Sequence, residues 1–152
     1  VDINYTIEFK DFELLSLFLG SIDMEIDGDI SGFIKRKGDS LLVSALLDVN
    51  YFKHLEAGEL YFISGLKLSA EVINDFSKEF PSSFTSNIYL SVHDLFLNEK
   101  IHDLNFSAEI NHRNVTLDLS GRLDNYLTTQ LNGSIVLDDN ITSLLLDSLF
   151  IT

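Results

Sequence analysis

Residues 21–35 read SIDMEIDGDISGFIK, and their polarity alternates with a period of two. The even positions carry Ile, Met and Gly, whereas the odd positions up to Ser31 carry acids and serine. Because successive side chains of an extended chain point to opposite faces, the pattern predicts a long β-strand with one apolar and one acidic face. Glycine within a strand marks a bend, a bulge or a close approach. Gly28 and Gly32 therefore predict a strand that is curved or leaves space above its apolar face.

Two later segments repeat this arrangement. Leu117, Leu119, Gly121 and Leu123 alternate with polar residues, as do Leu131, Gly133, Ile135 and Leu137. An alternative is that Ser120-Gly121 forms a two-residue hairpin turn. Folding back there would place Leu119 opposite Arg122 and mix apolar and charged side chains on both faces. A strand that runs straight through avoids this conflict, so we predict uninterrupted strands.

The charge balance narrows the range of partners. Ten basic residues against 24 acidic ones give a net charge of −14. The summed field repels phosphate backbones and anionic membrane surfaces, which argues against nucleic acid as a partner. The basic cluster Lys35-Arg36-Lys37 has no interleaved aromatic residues and precedes Gly38, so we interpret it as a charged hairpin tip.

Cysteine content and hydropathy bear on the setting of the chain. There is no cysteine, which excludes disulfides and thiolate chemistry. No stretch approaches the ~20 consecutive apolar residues of a membrane-spanning helix, and no signal peptide is present, so we expect any anchor to lie outside these residues. The sequence begins at Val1 rather than Met and ends on the apolar residues 144–151. We therefore expect a fragment of a larger protein.

Alternation along the chain predicts a meander of mostly antiparallel strands. The predicted strands cover residues 1–9, 21–35, 41–51, 60–72, 84–92, 95–97, 104–110, 115–123, 127–137 and 141–151. In the fourth of them, Leu60 and Phe62 are expected on the same face as Leu66. Short helices are predicted over residues 12–19 and 74–80, the second stopped by Pro81. Two short helices cannot cover a sheet of about ten strands, so a second sheet, closure of the sheet or a lipid must cover its apolar side.

Motifs for catalysis or metal binding are weak. Acids alternate from Asp23 to Asp29 as in a calcium loop, but the twelfth position is Ile34 rather than Glu, and an extended strand cannot wrap an ion. The histidines have no close Cys or His partner, and the neighbours His93-Asp94 and His102-Asp103 point to opposite faces. We therefore predict no enzymatic activity, no cofactor and no metal site.

Residues 22–34, 95–106 and 131–141 resemble the repeats of the AsmA and TamB family of Gram-negative envelope proteins. Members pair a short helix with long strands carrying recurrent Gly near Ser, Asn or Asp, as residues 12–34 do here. The resemblance implies an all-β fold with one or two short helices, in which residues 1–152 form a single β-rich segment of a larger repeating-β protein. Its long, curved, mostly antiparallel sheet would form a taco-like groove with an apolar interior.

In function, the resemblance implies a periplasmic bridge that shields phospholipid acyl chains between the two membranes and takes part in outer-membrane assembly. The larger protein would be anchored in the inner membrane, and regions outside this chain would contact an outer-membrane barrel of the Omp85 type. The predicted lipid-lining residues are Ile22, Met24, Ile26, Ile30, Ile34, Leu104, Phe106, Ala108, Ile110, Leu117, Leu119, Leu123, Leu131, Ile135 and Leu137.

Two other interpretations stay open from the sequence. A structural or adhesive β-sandwich would bury two apolar faces against each other and bind protein partners through its acidic surface. It gives no reason for strands longer than the usual 5 to 6 residues. A small carrier of closed-barrel type is the third interpretation.

Overall fold

The computed structural model describes residues 2–10, 24–56, 58–97, 99–124, 127–137 and 142–151. Its strands are β1 (Asp2–Lys10), β2 (Met24–Lys37), β3 (Ser40–Glu56), β4 (Glu59–Asp75), β5 (Phe84–Leu97), β6 (Glu99–Asn111), β7 (Asn114–Leu123), β8 (Leu127–Leu137) and β9 (Thr142–Ile151). Each strand pairs antiparallel with the next one along the chain. The sheet order is therefore the chain order, with β1 and β9 at the edges.

The predicted fold class is confirmed, because the described residues form one open antiparallel sheet of long strands. β7 runs without interruption through Ser120-Gly121, so the straight strand is correct and the hairpin alternative is not. The segments predicted as strands 84–92 and 95–97 are one strand, β5. The helix predicted over residues 12–19 lies outside the described residues.

The helical turn predicted over residues 74–80 is wrong. Residues 74 and 75 end β4, and residues 76–83 form turns that lead into β5. The carboxylate of Asp75 accepts hydrogen bonds from the backbone N–H and the hydroxyl of Ser77, at 3.1 and 2.6 Å. The backbone N–H of Ser83 donates to the carbonyl of Glu79 at 3.0 Å. An Asp side chain that binds the backbone two residues on stabilises a turn in place of a helix.

The described strands make a single layer. Each of them contacts only its neighbours in the sheet, and β1 does not meet β9. The described residues therefore form neither a two-sheet sandwich nor a closed barrel. The chain exposes 10308 Å², whereas a compact monomer of 17.2 kDa exposes about 7,800 Å². An excess of roughly 2,500 Å² is what a sheet without a second layer produces.

A row of irregular residues crosses the four central strands. Asn50, Gly65, His93 and Asp103 stand opposite one another in β3, β4, β5 and β6. The φ angles of Gly65 and Asp103 are 59° and 50°. The register shifts where this row meets β2, next to Asp27, and again where it meets β7. Because an extra residue bends a strand and increases its twist, the aligned bulges bend the sheet across its middle.

The glycines of the apolar positions mark close approaches. A Cβ on Gly28 would meet the backbone of β3, and a Cβ on Gly32 would meet the carbonyl of Ser44 and the ring of Tyr5. A Cβ on Gly121 would lie 3.2 Å from Cδ1 of Leu104. Of the alternatives given for a strand glycine, the structure therefore shows a close approach at these positions and not space above the apolar face. Glycine is used here because neighbouring groups come too close for a side chain.

Candidate functional site

The predicted lining residues share one face of the sheet, which we call the apolar face. On it lie Met24, Ile26, Ile30 and Ile34 of β2, Leu104, Phe106, Ala108 and Ile110 of β6, Leu117, Leu119 and Leu123 of β7, and Leu131, Ile135 and Leu137 of β8. Ile22 lies outside the described residues. The cross-strand register through β3, β4 and β5 brings these separate segments together on the same side.

One row of cross-strand partners on this face is apolar from edge to edge, and we call it the large rung. Its members are Ile7, Ile30, Leu47, Leu68, Leu90, Phe106, Leu119, Leu131 and Leu149. Neighbouring strands lie about 4.8 Å apart, so eight intervals give a length of about 38 Å. The apolar face is therefore continuous across all nine described strands.

The adjacent row contains mostly small residues, and we call it the small rung. Its members are Tyr5, Gly32, Ala45, Ala70, Ile88, Ala108, Leu117, Gly133 and Leu146. The row on the other side of the small rung carries branched apolar residues from Ile34 to Ile135, except for Ser86. The small rung is therefore lower than its two neighbouring rows at its five Gly and Ala positions, and Ile88 and Leu117 interrupt it in the centre of the sheet.

Most side chains of the apolar face are half-buried. Among the described residues, the buried apolar ones are Val49, Val92 and Ala108, at 3%, 6% and 8% exposure. On the edge strands, Ile7 and Leu149 are 54% and 51% exposed because each has a neighbour on one side only. Lateral contact within the sheet thus shields the central side chains partly, and no described strand covers them from above.

Sequence reasoning missed the parts of this face that β1, β3, β4 and β5 contribute. The alternation in these strands was visible, but the register that aligns their apolar residues with those of β2 and β6 was not. In β4 the expectation was also wrong in detail. Beyond the bulge at Gly65, Ile63 lies on the apolar face, with Phe52 and Leu95 as its partners. Phe62 lies on the opposite face, because the extra residue exchanges the two sides.

The opposite face, which we call the polar face, carries the acids. Glu8, Asp29, Asp48 and Lys67 are successive cross-strand partners. The ammonium of Lys67 lies 2.9 Å from the carboxylate of Asp48, and this hydrogen bond raises the pKa of Lys67. Paired like charges destabilise neighbouring strands, so the lysine offsets part of the repulsion between Asp29 and Asp48.

A hollow of about 460 Å³ opens on the polar face above β3 to β7. The side chains that line this hollow include those of Ser69, Glu71, Asn87 and Asp118. An acyl chain placed there would desolvate carboxylates and amides without pairing them, which is unfavourable. Binding of an apolar ligand is therefore favoured on the apolar face alone.

Two histidine–carboxylate pairs form between β5 and β6. Each histidine contacts the aspartate of the other strand and not the aspartate next to it in sequence. Nδ1 of His102 lies 2.5 Å from the carboxylate of Asp94, and Nδ1 of His93 lies 3.3 Å from Asp103. Desolvation raises the pKa of Asp94, but the hydrogen bond from His102 and the charge of Lys100 outweigh it, so the pKa is lowered. Arg122 also lies 3.1 Å from Asp103.

These pairs act as links between strands. His93 and Asp103 belong to the row of bulges, and Asp94 and His102 lie next to it. The backbone ladder between β6 and β7 is interrupted there, and the ion pair of Arg122 with Asp103 links the two strands across the interruption. Among the residues that the structure describes, His, Asp and Glu do not gather in groups of three or more able to hold a metal ion.

Comparison with known proteins gives no relative to set beside this geometry. No family model, no curated protein and no solved structure matches the chain. Within the described ranges, no helix is both long enough and apolar enough to cross a membrane. The sheet geometry and the chemistry of its two faces therefore carry the functional argument.

Proposed function

We propose that this chain is a non-catalytic segment of an envelope bridge whose apolar face shields phospholipid acyl chains on their way between membranes. The observation that supports the proposal most directly is the large rung, which stays apolar across nine strands without a second layer among the described residues. Monomeric soluble proteins rarely expose contiguous apolar patches beyond a few hundred Å². A face about 38 Å wide and, for strands of about ten residues, about 33 Å long covers roughly 1,000 Å², which exceeds this limit, so it needs an apolar partner.

Acyl chains fit the dimensions of the face. Half the hydrocarbon thickness of a bilayer, about 15 Å, measures one acyl chain. The large rung, at about 38 Å, spans two such lengths end to end. Each CH₂ group taken out of water contributes about 0.8 kcal/mol. A chain lying along the small rung would contact larger side chains on both sides, while its head group stays in water at the rim.

The wider assignment follows from the resemblance to the AsmA and TamB family. On that basis the segment works in the periplasm as part of a larger protein that is anchored in the inner membrane. Contact with an Omp85-type barrel in outer-membrane assembly would involve regions outside these residues. The polar face supports the same assignment, because an acidic surface keeps the outside of such a bridge in water.

Site-specific photocrosslinking tests the location of the lipid. A photoreactive amino acid at Leu119 or Ile135 should give phospholipid adducts, which mass spectrometry of the extracted protein identifies. The matched control positions are Ser120 and Ser134, each one residue away on the polar face. Equal labelling at both sets of positions would contradict a lipid-binding apolar face.

Charge placed on the face tests transport. Leu119→Asp, Ile26→Asp and Ile135→Asp should each lower the amount of co-purified phospholipid and impair its transfer, because a carboxylate among apolar side chains is strongly unfavourable. Ser120→Asp and Ser134→Asp are the controls. Undiminished transfer in all three apolar-face variants would overturn the proposal.

A bulky substitution tests the small rung without adding charge. Ala70→Phe should fill the line of short side chains and reduce bound lipid, whereas Ser69→Phe adds the same ring to the polar face of the same strand. Circular dichroism and urea unfolding of both variants show that they fold. Equal lipid content in the two variants would show that acyl chains do not lie along the small rung.

A further inference from the structure

Four of the ten cations of this acidic chain lie close together at one end of the strands. Lys35, Arg36 and Lys37 end β2, and Lys78 lies in the turn between β4 and β5. The segments 35–39 and 76–83 are joined by a hydrogen bond from the N–H of Phe76 to the carbonyl of Asp39, at 2.8 Å. We call these two segments together the basic tip.

The local charge of the basic tip differs from that of the whole molecule. Its four cations stand against Asp39 and Glu79, and the adjacent Asp75 lowers the balance to +1, whereas the whole chain carries −14. Asp2 stands opposite Lys35 and lowers the local balance there, whereas Arg113 lies in the turn between β6 and β7, about 19 Å from β2, and does not offset it within one Debye length. Asp138 and Asp139 follow β8 and lie outside the described residues.

Two aromatic side chains project from the basic tip. Phe80 is 72% exposed and Phe76 is 57% exposed. The guanidinium of Arg36 lies 5.9 Å from the centre of the Phe76 ring, within the range of a cation–π contact. Peripheral membrane proteins insert exposed aromatic rings of this kind at the boundary of head groups and acyl chains, with lysine and arginine beside them.

The turn that presents these rings is firmly held. The N–H of Asp75 donates to the carbonyl of Ser83 at 2.8 Å, and that of Phe84 donates to the carbonyl of Pro81 at 3.1 Å. Pro81 and Ser83 are buried between the exposed residues around them. Because the backbone is fixed, the exposure of Phe80 is built into the turn and is not a result of loose structure.

We propose that the basic tip docks onto the surface of a membrane that contains anionic phospholipids, with Phe76 and Phe80 entering the head-group region and Lys35, Arg36 and Lys37 contacting phosphates. Lysine and arginine near an anionic leaflet attract it over about one Debye length. The net charge of the rest of the chain opposes this attraction only weakly. Glu71, the nearest acid along β4, lies four residues from Asp75, about 13 Å, beyond the Debye length of ~8 Å at physiological salt.

The basic tip also has a defined place relative to the apolar face. Arg36, Leu41, Asn74 and Phe84 are successive partners in the last row of that face. Docking of the tip would therefore bring the rim of the apolar face against the bilayer. This consequence rests on the proposed function, whereas the docking itself rests on the charges and rings of the tip alone.

A single introduced tryptophan reports the docking, because the chain contains none. In Phe80→Trp, fluorescence should shift to the blue and be quenched by brominated lipid when vesicles of phosphatidylcholine with phosphatidylglycerol are added. Vesicles of phosphatidylcholine alone should give a much smaller change. Phe150→Trp replaces another exposed ring, on β9 and away from the tip, and should not respond. A response of Phe150→Trp that equals that of Phe80→Trp would overturn the proposal.

Charge reversal separates the basic tip from other cations. The combined change of Lys35, Arg36 and Lys37 to Glu should lower vesicle binding more than about tenfold in sedimentation with anionic vesicles. Lys53→Glu with Lys100→Glu reverses cations of similar exposure at the opposite end of the strands and should leave binding nearly unchanged. Equal loss in both variants would indicate nonspecific attraction and contradict the proposal.

Three further measurements distinguish the alternatives. If vesicle binding is lost in Leu119→Asp but kept in the tip variant, the membrane contact belongs to the apolar face and the tip proposal fails. If photocrosslinks at Leu119 are absent while Phe80→Trp still responds to anionic vesicles, the proposed lipid groove fails and the tip proposal stands. If soluble inositol hexakisphosphate binds the tip and abolishes its binding to vesicles, the ligand of the tip is a free phosphate compound and the membrane proposal fails.

Discussion

At the residue scale, Gly32 and Gly121 occupy similar positions on the apolar face but have different neighbours. A Cβ on Gly32 would meet the carbonyl of Ser44, whereas a Cβ on Gly121 would meet the flexible end of Leu104. Backbone cannot move aside as a side chain can, so Gly32→Ala should destabilise the protein by about 1–3 kcal/mol and Gly121→Ala by much less. Urea unfolding measures both. Equal losses would show that the neighbouring strand does not approach Gly32 closely.

Asp75 gives a residue-scale prediction of pH dependence. Hydrogen bonds from the Ser77 side chain, Lys78 and the Ser77 backbone lower the pKa of Asp75 to about 2. Because the folded-state pKa lies below the usual unfolded value near 3.9, the carboxylate stabilises the fold above that value and loses this contribution as pH falls toward 2. The difference in unfolding free energy between the unchanged chain and Asp75→Asn should therefore shrink between pH 5 and 2. A constant difference would contradict the assignment.

At the element scale, the sequence predicted strands best where the alternation is unbroken. β2, β7 and β8 keep one parity throughout, so their faces were assigned correctly from the residues alone. In β3 to β6 the parity changes at Asn50, Gly65, His93 and Asp103. A bulge depends on pairing with a neighbouring strand, which a local pattern does not contain. Because the parity also changes at His93, β5 was predicted as two strands, residues 84–92 and 95–97.

The bulge in β4 leads to a prediction about which side chain faces the lipid. The structure places Ile63 on the apolar face and Phe62 on the polar face, with Phe52 opposite Ile63. A photoreactive residue at Ile63 should therefore capture phospholipid, and one at Phe62 should not. A strand without the extra residue at Gly65 would give the reverse result. Both positions lie two or three residues from Gly65, so the comparison tests the bulge alone.

At the scale of the whole molecule, the candidate site is a property of the register. No single strand predicts the large rung, because its nine residues come from nine separate segments between Ile7 and Leu149. The sequence predicted the apolar character of each segment and a meander order, but not which residues stand opposite one another in neighbouring strands. Sequential pairing of neighbours in a meander then joins the segments into one face. Sequential order alone would also allow a closed barrel, and the sheet is open because the described strands β1 and β9 do not pair with each other.

An open apolar face also predicts how the molecule behaves without lipid. After removal of bound lipid by detergent exchange, the chain should self-associate, because water is a poor partner for a face of this extent. Added phospholipid should return it to the monomer, as measured by sedimentation velocity. Leu119→Asp with Ile135→Asp should reduce the association, whereas Ser120→Asp with Ser134→Asp should not. If both pairs associate equally, contact runs through the unpaired edges of β1 and β9. A delipidated chain that stays monomeric would instead mean that the apolar face is already covered.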